Sequence, residues 1–275
     1  MLTETLRSFR TVGLGIKVVG APIQPGSPGI FQLDVRRGRD CEYFRIWPGA
    51  RDIDFAVLDG DARFRQVVLR VREPRRPYEA IVPKWSWRTP AWAKEEARRL
   101  GGETLRDTGR HWVFRLWTPD QERRYLCGFD ERSLFIAQIR QGDTVSGAHT
   151  SLMPEEVSGY QDPLRVIRQG EWFFLPAMDQ DLAALRDYVP THPRSVRESE
   201  PLGPGGQPHV ADEVVVIDRR ERPRGREMRR REILARGRVR HPDHAELCLQ
   251  AWHRVVRNRA VAPAGPDLQR LKWID

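Results

Sequence analysis

From Phe31 onward the chain alternates apolar and polar residues with a period of two. FQLDV, EYFRIW, IDFAVL, ARFRQVVLRV and YEAIV each turn every second side chain to one face, the pattern of half-buried strands. Asp59-Gly60, between two of these runs, predicts a hairpin turn. The expectation is an antiparallel meander with one solvated face, which would carry Arg63, Arg65, Arg70 and Arg72. Such a face either is simply solvated and resists edge pairing or touches phosphates.

Helical signals interrupt this pattern. Residues 3–10 have room for one or two helical turns before the apolar, Gly-interrupted TVGLGIKVVG. Thr89 as a cap, Pro90 at the first helical position and Gly101-Gly102 at the end bound a helix with the body AWAKEEARRL. Strands resume with HWVFRLW (111–117), RRYLCGF (123–129) and SLFIAQI (133–139). The last turn holds Asp130 and Glu131, acids that could be ligands, although a turn is where acids ordinarily sit. MPEEV (153–157) reads as a short helix, and 159–163 as a linker.

Beyond the linker, EWFFLP is a strand after a Gln169-Gly170 turn, and 179–189 has helical spacing. The Pro-, Gly- and Ser-rich stretch 190–208 predicts a long loop, and 209–218 another strand. Residues 218–231 hold a dense arginine run, which Pro223 and Gly225 keep from being helical. ARGRVRHPDHAELCLQAWHRVVRN (235–258) is then a β-hairpin around a His-Pro-Asp-His turn, and the Pro-rich tail is irregular. The predicted fold is mainly β (α+β): two β-rich domains with a few short helices. Residues 1–160 form the first, with a helix near 90–100. Residues 161–275 form the second, with the HPDH hairpin and the arginine-rich loop.

Composition changes this picture in two respects. The chain of 275 residues carries a net charge of +9, almost all of its basic residues being arginine. Arginine binds phosphate bidentately and stacks on bases, so the balance points to nucleic acid or another polyanion; an arginine-biased proteome gives the same composition. The nine Trp, ten Phe and five Tyr supply core material that disordered chains lack. Three scattered cysteines form no C-x-x-C pair, which argues against a zinc ribbon or a disulfide framework and for a reducing, cytoplasmic setting. The glycines at 13, 15 and 20 do not make a G-x-G-x-x-G phosphate loop. No secretory signal and no apolar run of membrane-spanning length is expected, hence no membrane partner.

Three of the seven histidines, His241, His244 and His253, fall in the terminal hairpin, which the sequence suggests presents them together. His241 and His244 flank a tight turn; His209 on a neighbouring strand could add a third imidazole, and Asp243, Asp212 or Glu213 a fourth ligand. Such a set could bind a divalent metal, zinc being the natural choice for imidazole, and a metal with an open position acidifies water for hydrolysis. Paired histidines could also act without metal, as general base and acid on a phosphodiester, with His241, His244 and His253 as the catalytic candidates. The third reading is that they only hydrogen-bond within the turn and pack beside Trp252.

RQGEWFFLP, HVADEV and RHPDHAELCLQAWHRVVRNRA form an ordered set over about 165–260. The set resembles a family of uncharacterised bacterial and phage proteins with an RQGD-type opening strand, a T-G-H-A-H-like segment, an H-x-x-H turn and a closing V-x-R-Q-R strand. Arg168, Gln169 and Gly170 match the opening, with Glu171 where the family usually has Asp. His209 matches the second histidine of the middle segment, and Gln207 stands where the first would be. His241 and His244 match the turn. Arg257 and Arg259 match the closing strand, around Asn258 in the glutamine position, and His253 stands where an aromatic is more usual. The first 160 residues resemble an extension of longer relatives, notably around YLCGFDERSLFIAQI. The resemblance implies no known activity.

Three functions remain open, and with them whether the chain is an enzyme. The leading expectation is a cytoplasmic bacterial protein that binds RNA or DNA, as part of a nucleoprotein or defence system. Its phosphate contacts would come from Arg219, Arg220, Arg222, Arg224, Arg226, Arg229, Arg230 and Arg231 in the loop and Arg257 and Arg259 in the closing strand, with exposed Trp or Tyr stacking on single-stranded bases. The alternatives are a metal-dependent hydrolase or nuclease centred on His209, His241 and His244, and a non-catalytic subunit with protein partners in a larger complex.

Overall fold

A computed structural model of the chain describes residues 2–23, 30–85, 88–117, 119–192, 195–203, 208–221 and 228–260. It has a mixed α and β fold dominated by strands. Helix α1 (Leu2–Thr11) leads into β1 (Ile16–Val18), β2 (Gln32–Arg37) and β3 (Glu42–Trp47), which form a sheet in the order β1-β3-β2. β4 (Asp54–Asp61) and β5 (Gln66–Glu73) follow, then β6 (Pro77–Pro83), α2 (Pro90–Arg99), β7 (Glu103–Asp107) and β8 (His111–Trp117). β6, β8 and β7 make a separate three-stranded sheet, with Ala93 and Ala97 of α2 packed on Trp112, Phe114 and Leu116. β9 (Gln121–Asp130) and β10 (Ser133–Ile139) return to β4 and β5, giving the order β10-β9-β5-β4.

That four-stranded sheet is buried on both faces. Val67, Leu69, Val71, Tyr125, Cys127, Leu134 and Ile136 meet Leu33, Phe44 and Ile46 of the first sheet and Phe9 of α1. α1 joins this core because Leu2, Leu6 and Phe9 share one helical face. The alternate residues Val68, Leu126, Phe135, Ala137 and Ile139 are covered by Val145, Ala148 and Leu152 of α3 (Val145–Leu152). The expected solvated face therefore does not exist along most of β5. The expectation failed because α3, whose SGAHTS body has little apolar periodicity, covers it. Arg70 and Arg72 reach the rim and bond to Asp54 (3.3 Å) and Glu122 (2.5 Å). The hairpin turn also sits later than Asp59-Gly60. Asp61 accepts from the amides of Arg63 (2.8 Å) and Phe64 (3.1 Å) and so makes the turn, while Asp59 accepts from Val145 N at the start of α3 (2.8 Å).

After α4 (Glu155–Ser158) and a short 3-10 turn at Pro163–Arg165 come β11 (Ile167–Gln169), β12 (Trp172–Pro176), α5 (Asp179–Thr191), β13 (Val196–Pro201), β14 (Val210–Glu221), β15 (Met228–Arg240) and β16 (Leu247–Arg257). They form one antiparallel sheet in the order β11-β12-β16-β15-β14-β13. β13 lies within the stretch expected to be a loop. It is an edge strand, where its Pro and Glu residues are tolerated. One face packs Trp172, Phe174, Leu202, Ala211, Val214, Val239 and Leu249 together, and α5 closes the other through Leu185 against Val215, Ile217 and Leu234. Among the described residues no helix is long and apolar enough to cross a membrane.

The two parts are tied to each other. Arg168 bonds to Asp130 (2.7 Å), the Ala245 amide donates to Glu131 (2.9 Å), and the Arg259 amide donates to Leu152 O (2.9 Å).

One ion pair lies deep in the first core. Glu73 accepts from the Phe31 amide (2.7 Å) and from Arg123, and the Arg123 and Glu73 side chains are 7% and 10% exposed. Removing one member strands the other charge in a poorly solvated site. Glu73→Ala should therefore lower the unfolding free energy by about 3–5 kcal/mol, read as a fall in the urea midpoint. A loss below about 1 kcal/mol would mean that water reaches Arg123.

Candidate metal centre

The second sheet does not lie flat. The register sets Trp172 opposite Arg257, at one end of β16, and Val210 opposite Arg240, near the other end. On a flat sheet these corners would be roughly 35 Å apart, at ~3.3 Å per residue and ~4.8 Å per strand. Here they touch. Gln169 Nε2 donates to Ala245 O (2.5 Å), just before β16, and the Asn258 amide donates to Glu171 O (2.8 Å), just after it. A single turn, 169–171, thus receives both ends of β16, so the strand is bent round. The ladder between β15 and β16 shifts register here: Ala235 pairs with His253 and Gly237 with Leu249, so β16 carries extra residues between Leu249 and His253, opposite Gly237 in its left-handed conformation (φ 87°).

Three histidines meet at this closed corner. His209 directly precedes β14, and its carbonyl accepts from the Leu202 amide (2.9 Å). His241 directly follows β15, and His244 closes the turn, its amide donating to His241 O (3.4 Å). The ring centroids of His209 and His241 are 4.3 Å apart and nearly parallel; His244 is 5.2 Å from the first and 5.0 Å from the second. One nitrogen of each ring lies within 4.8 Å of the other two. All three residues are buried.

Gly170 makes this packing possible. It is in the left-handed region (φ 56°), and a Cβ there would stand 2.7 Å from His244 Nε2 and 3.3 Å from the His209 ring. Two carboxylates face the cluster from either side. Glu171 Oε2 is 4.0 Å from His209 Nδ1, and its Oε1 is 3.6 Å from Arg257 Nη2. Glu131 Oε2 is 3.6 Å from His244 Nδ1. Glu131 is itself left-handed (φ 49°), a conformation that costs a non-glycine residue roughly 1–2 kcal/mol. Its carboxylate caps the Ala245 amide, which helps to hold it there. His241 Nδ1 accepts from the Asp243 amide (3.2 Å), which assigns the ring proton to Nε2 when no metal is bound. Coordination through Nε2 would require the proton to leave it and the turn to give up that contact.

Of the residues expected at the site, His209, His241 and His244 come together and His253 does not. His253 lies six residues along β16 from Leu247, opposite Ala235 and Pro176. Its Nδ1 bonds to Ala251 O (2.8 Å), and burial pushes its pKa below the usual imidazole value. The hairpin does not present it with the others because it sits in the middle of the bent strand, away from the corner where the two ends meet. The acids expected as further ligands are engaged elsewhere. Asp212 takes the Arg238 amide (3.0 Å) and side chain (3.1 Å) and also Arg240 (2.7 Å). Glu213 is held bidentately by Arg236. These bonds lower both carboxyl pKa values. Asp243 faces Arg37 (3.7 Å). The carboxylates beside the rings are instead Glu171 and Glu131; Glu131 belongs to the turn whose acids the sequence offered as possible ligands, and Glu171 was marked only by its position beside the RQG turn.

The arginines expected to bind nucleic acid divide into three groups. Arg257 and Arg259 face Glu171 and Glu155 (2.8 Å). Arg222, Arg224 and Arg226 lie outside the described residues. Arg219, Arg220, Arg229, Arg230 and Arg231 stand not in a loop but in the paired ends of β14 and β15, Arg231 opposite Asp218. Gln207 also lies outside the described residues.

No family model, curated protein or solved structure matches the chain.

The glycine at the turn offers a direct check. Gly170→Ala should destabilise the fold by about 1–3 kcal/mol, since it combines a strained φ with overpacking against two buried rings. Unfolding in urea would measure it, and an unchanged midpoint would show that the corner is looser than described.

Proposed function

We propose that His209, His241 and His244 hold one divalent metal ion, zinc by the softness of an all-imidazole set, and that the protein is a metal-dependent hydrolase. The observation that carries this reading is the convergence of three buried imidazole nitrogens within 4.8 Å of one another from two chain segments, the start of β14 and the β15–β16 turn. Three protein nitrogens are the number found at catalytic zinc, where a fourth position is left to water or substrate. A metal there supplies acidified water and Lewis-acid polarisation.

The remaining residues have definable tasks. Arg257 orients Glu171 through Oε1, so that Oε2 points towards the cluster and can accept a proton from attacking water. In hydrolysis the water oxygen bonds to the electrophilic centre, the scissile bond breaks, and the proton held on Glu171 passes to the leaving group. Glu131 steadies His244 from the opposite side, as outer carboxylates do for metal-bound histidines.

Elemental analysis of purified protein should find close to one metal equivalent per chain, lost in His241→Ala. Glu171→Gln should keep the metal and lower turnover of a model ester on the order of 100-fold or more. Protein that takes up no metal from zinc-containing buffer overturns the centre. A Glu171→Gln variant with unchanged turnover overturns the proton-transfer role.

A second reading, polyanion binding, is supported by the hairpin register. The backbone register sets Arg219 opposite Arg230 and Arg220 opposite Arg229, so the paired strand ends gather several arginine positions, the composition that attracts phosphates. Affinity for a single-stranded oligonucleotide should then fall steeply between 50 and 200 mM salt, by about tenfold or more if several phosphates are neutralised. Salt-independent binding, or none, would end this reading.

A further inference from the structure

The loops that face the histidine corner also wall a cleft of about 410 Å³ in the first part of the chain. Its lining includes Arg37, Arg39, Arg65 and Arg132, with Asp40 and Glu42 as its acids. Four cations against two anions leave the walls with an excess of two positive charges.

The arginines fall into two pairs. Arg37 is shared between Glu42 (3.3 Å) and Asp243 (3.7 Å), and Arg65 donates to Gly13 O (2.9 Å) and lies 4.5 Å from the centre of the Phe129 ring. These two belong to the wall. Arg39 and Arg132 are exposed, and among the described residues neither has an ion pair or a hydrogen bond to the protein. They come from different turns, the β2–β3 turn and the β9–β10 turn, and line the same space.

Both walls touch the histidine cluster through their neighbours. Arg37 contacts Asp243, whose amide donates to His241. Arg132 follows Glu131, whose carboxylate is 3.6 Å from His244. The cleft is therefore linked to the corner at which the metal is proposed through Asp243 and Glu131, neither of which lines it.

We propose that this cleft takes a phosphate ester of about nucleotide size, gripped by Arg39 and Arg132, and that it is the substrate pocket of the hydrolase. The volume falls within the range of small-molecule sites, roughly 300–1,000 Å³. Two guanidinium groups from different turns lining one cleft suit an oxyanion with several acceptors, which a phosphate provides and a single carboxylate provides less well. This assignment rests on the metal-centre reading for the chemistry but not for the binding, and the two can fail separately.

Cys41 lines the cleft and is exposed, whereas Cys248 is exposed elsewhere. The rate of alkylation at Cys41, relative to Cys248 in the same sample, therefore reports occupancy. The experiment uses the full chain stripped of metal with a chelator, and separately His241→Ala. Inorganic phosphate, pyrophosphate and a 5′-mononucleotide are the probes, at low ionic strength, with affinity measured by calorimetry.

Bound probe should slow Cys41 alkylation and leave Cys248 unchanged, with or without the metal ligands. Arg39→Gln and Arg132→Gln, both at exposed positions, should each weaken binding about tenfold or more, the size of one lost charge-assisted contact. A mononucleotide that binds more tightly than phosphate supports an ester-sized pocket; equal affinities restrict the site to the phosphate group and overturn the size assignment. Cys41 labelling that no probe slows, or affinity unchanged in the double variant, overturns the cleft altogether. If the cleft binds but the protein takes up no metal, it is an anion site without hydrolytic chemistry. That outcome separates the failure of the metal reading from the failure of this one.

Discussion

The bend of β16 is the constraint on which the C-terminal part depends. A strand of this length, held straight, would keep Ala245 and Asn258 at opposite ends of the sheet. Instead both bond to the turn 169–171. Bending a strand this far needs residues that can leave the regular ladder, and β16 has them between Leu249 and His253, where its register against β15 shifts. Closure then encloses the apolar face around Trp172, Phe174 and Leu249. It also forces the three turns at the corner into one small volume. The histidines meet because the sheet closes there, and at Gly170 the backbone leaves room for their rings.

Arginine chemistry follows a different logic across the molecule. Much of the positive charge is answered locally: Arg45 by Asp34 (2.5 Å), Arg72 by Glu122, Arg236 by Glu213, Arg238 and Arg240 by Asp212. Such exposed pairs contribute little to stability, but they cancel the field that a polyanion would feel. The net charge of the chain is therefore a poor guide to where an anion binds. Position decides, and Arg39 and Arg132 matter because the fold sets them across a concave space without a carboxylate of their own.

The periodicity of the sequence made most of the strands legible, and the HPDH hairpin, α2 and α5 lie where the pattern expects them. What the pattern could not carry was anything decided by a third element. β5 reads as half-solvated, yet α3 covers its second face with a helix too weakly patterned to announce itself. β13 reads as loop because its residues suit an edge, where packing demands are low. For the site, His209, His241 and His244 were recognisable as residue types, and the grouping with His253 was wrong because local order along a hairpin says nothing about how the strand bends. The Arg168-Gln169-Gly170 run acquires a physical sense only in three dimensions. Arg168 reaches the β9–β10 turn, Gln169 reaches the HPDH turn, and Gly170 makes room for the rings.

The same corner links binding to folding. A metal shared by His209, His241 and His244 would join the start of β14 to the β15–β16 turn, closing a loop of more than thirty residues that includes the whole arginine-rich hairpin. The entropy of closing such a loop grows only slowly with its length, so a long hairpin between the ligands is no obstacle to a tight site. The corner at which its ligands meet is also held without any metal. Here the assembly is supplied by groups that are not ligands: Gln169 on the Ala245 carbonyl, Glu131 on the Ala245 amide, and the Leu202 amide on the His209 carbonyl. These contacts hold the corner in which the imidazoles meet. Metal affinity is thus coupled to the stability of a corner built from both halves of the chain, since Glu131 belongs to the first and the histidines to the second. A centre whose outer support crosses from one part to the other is also one whose neighbouring cleft can come from the part that holds no metal ligand.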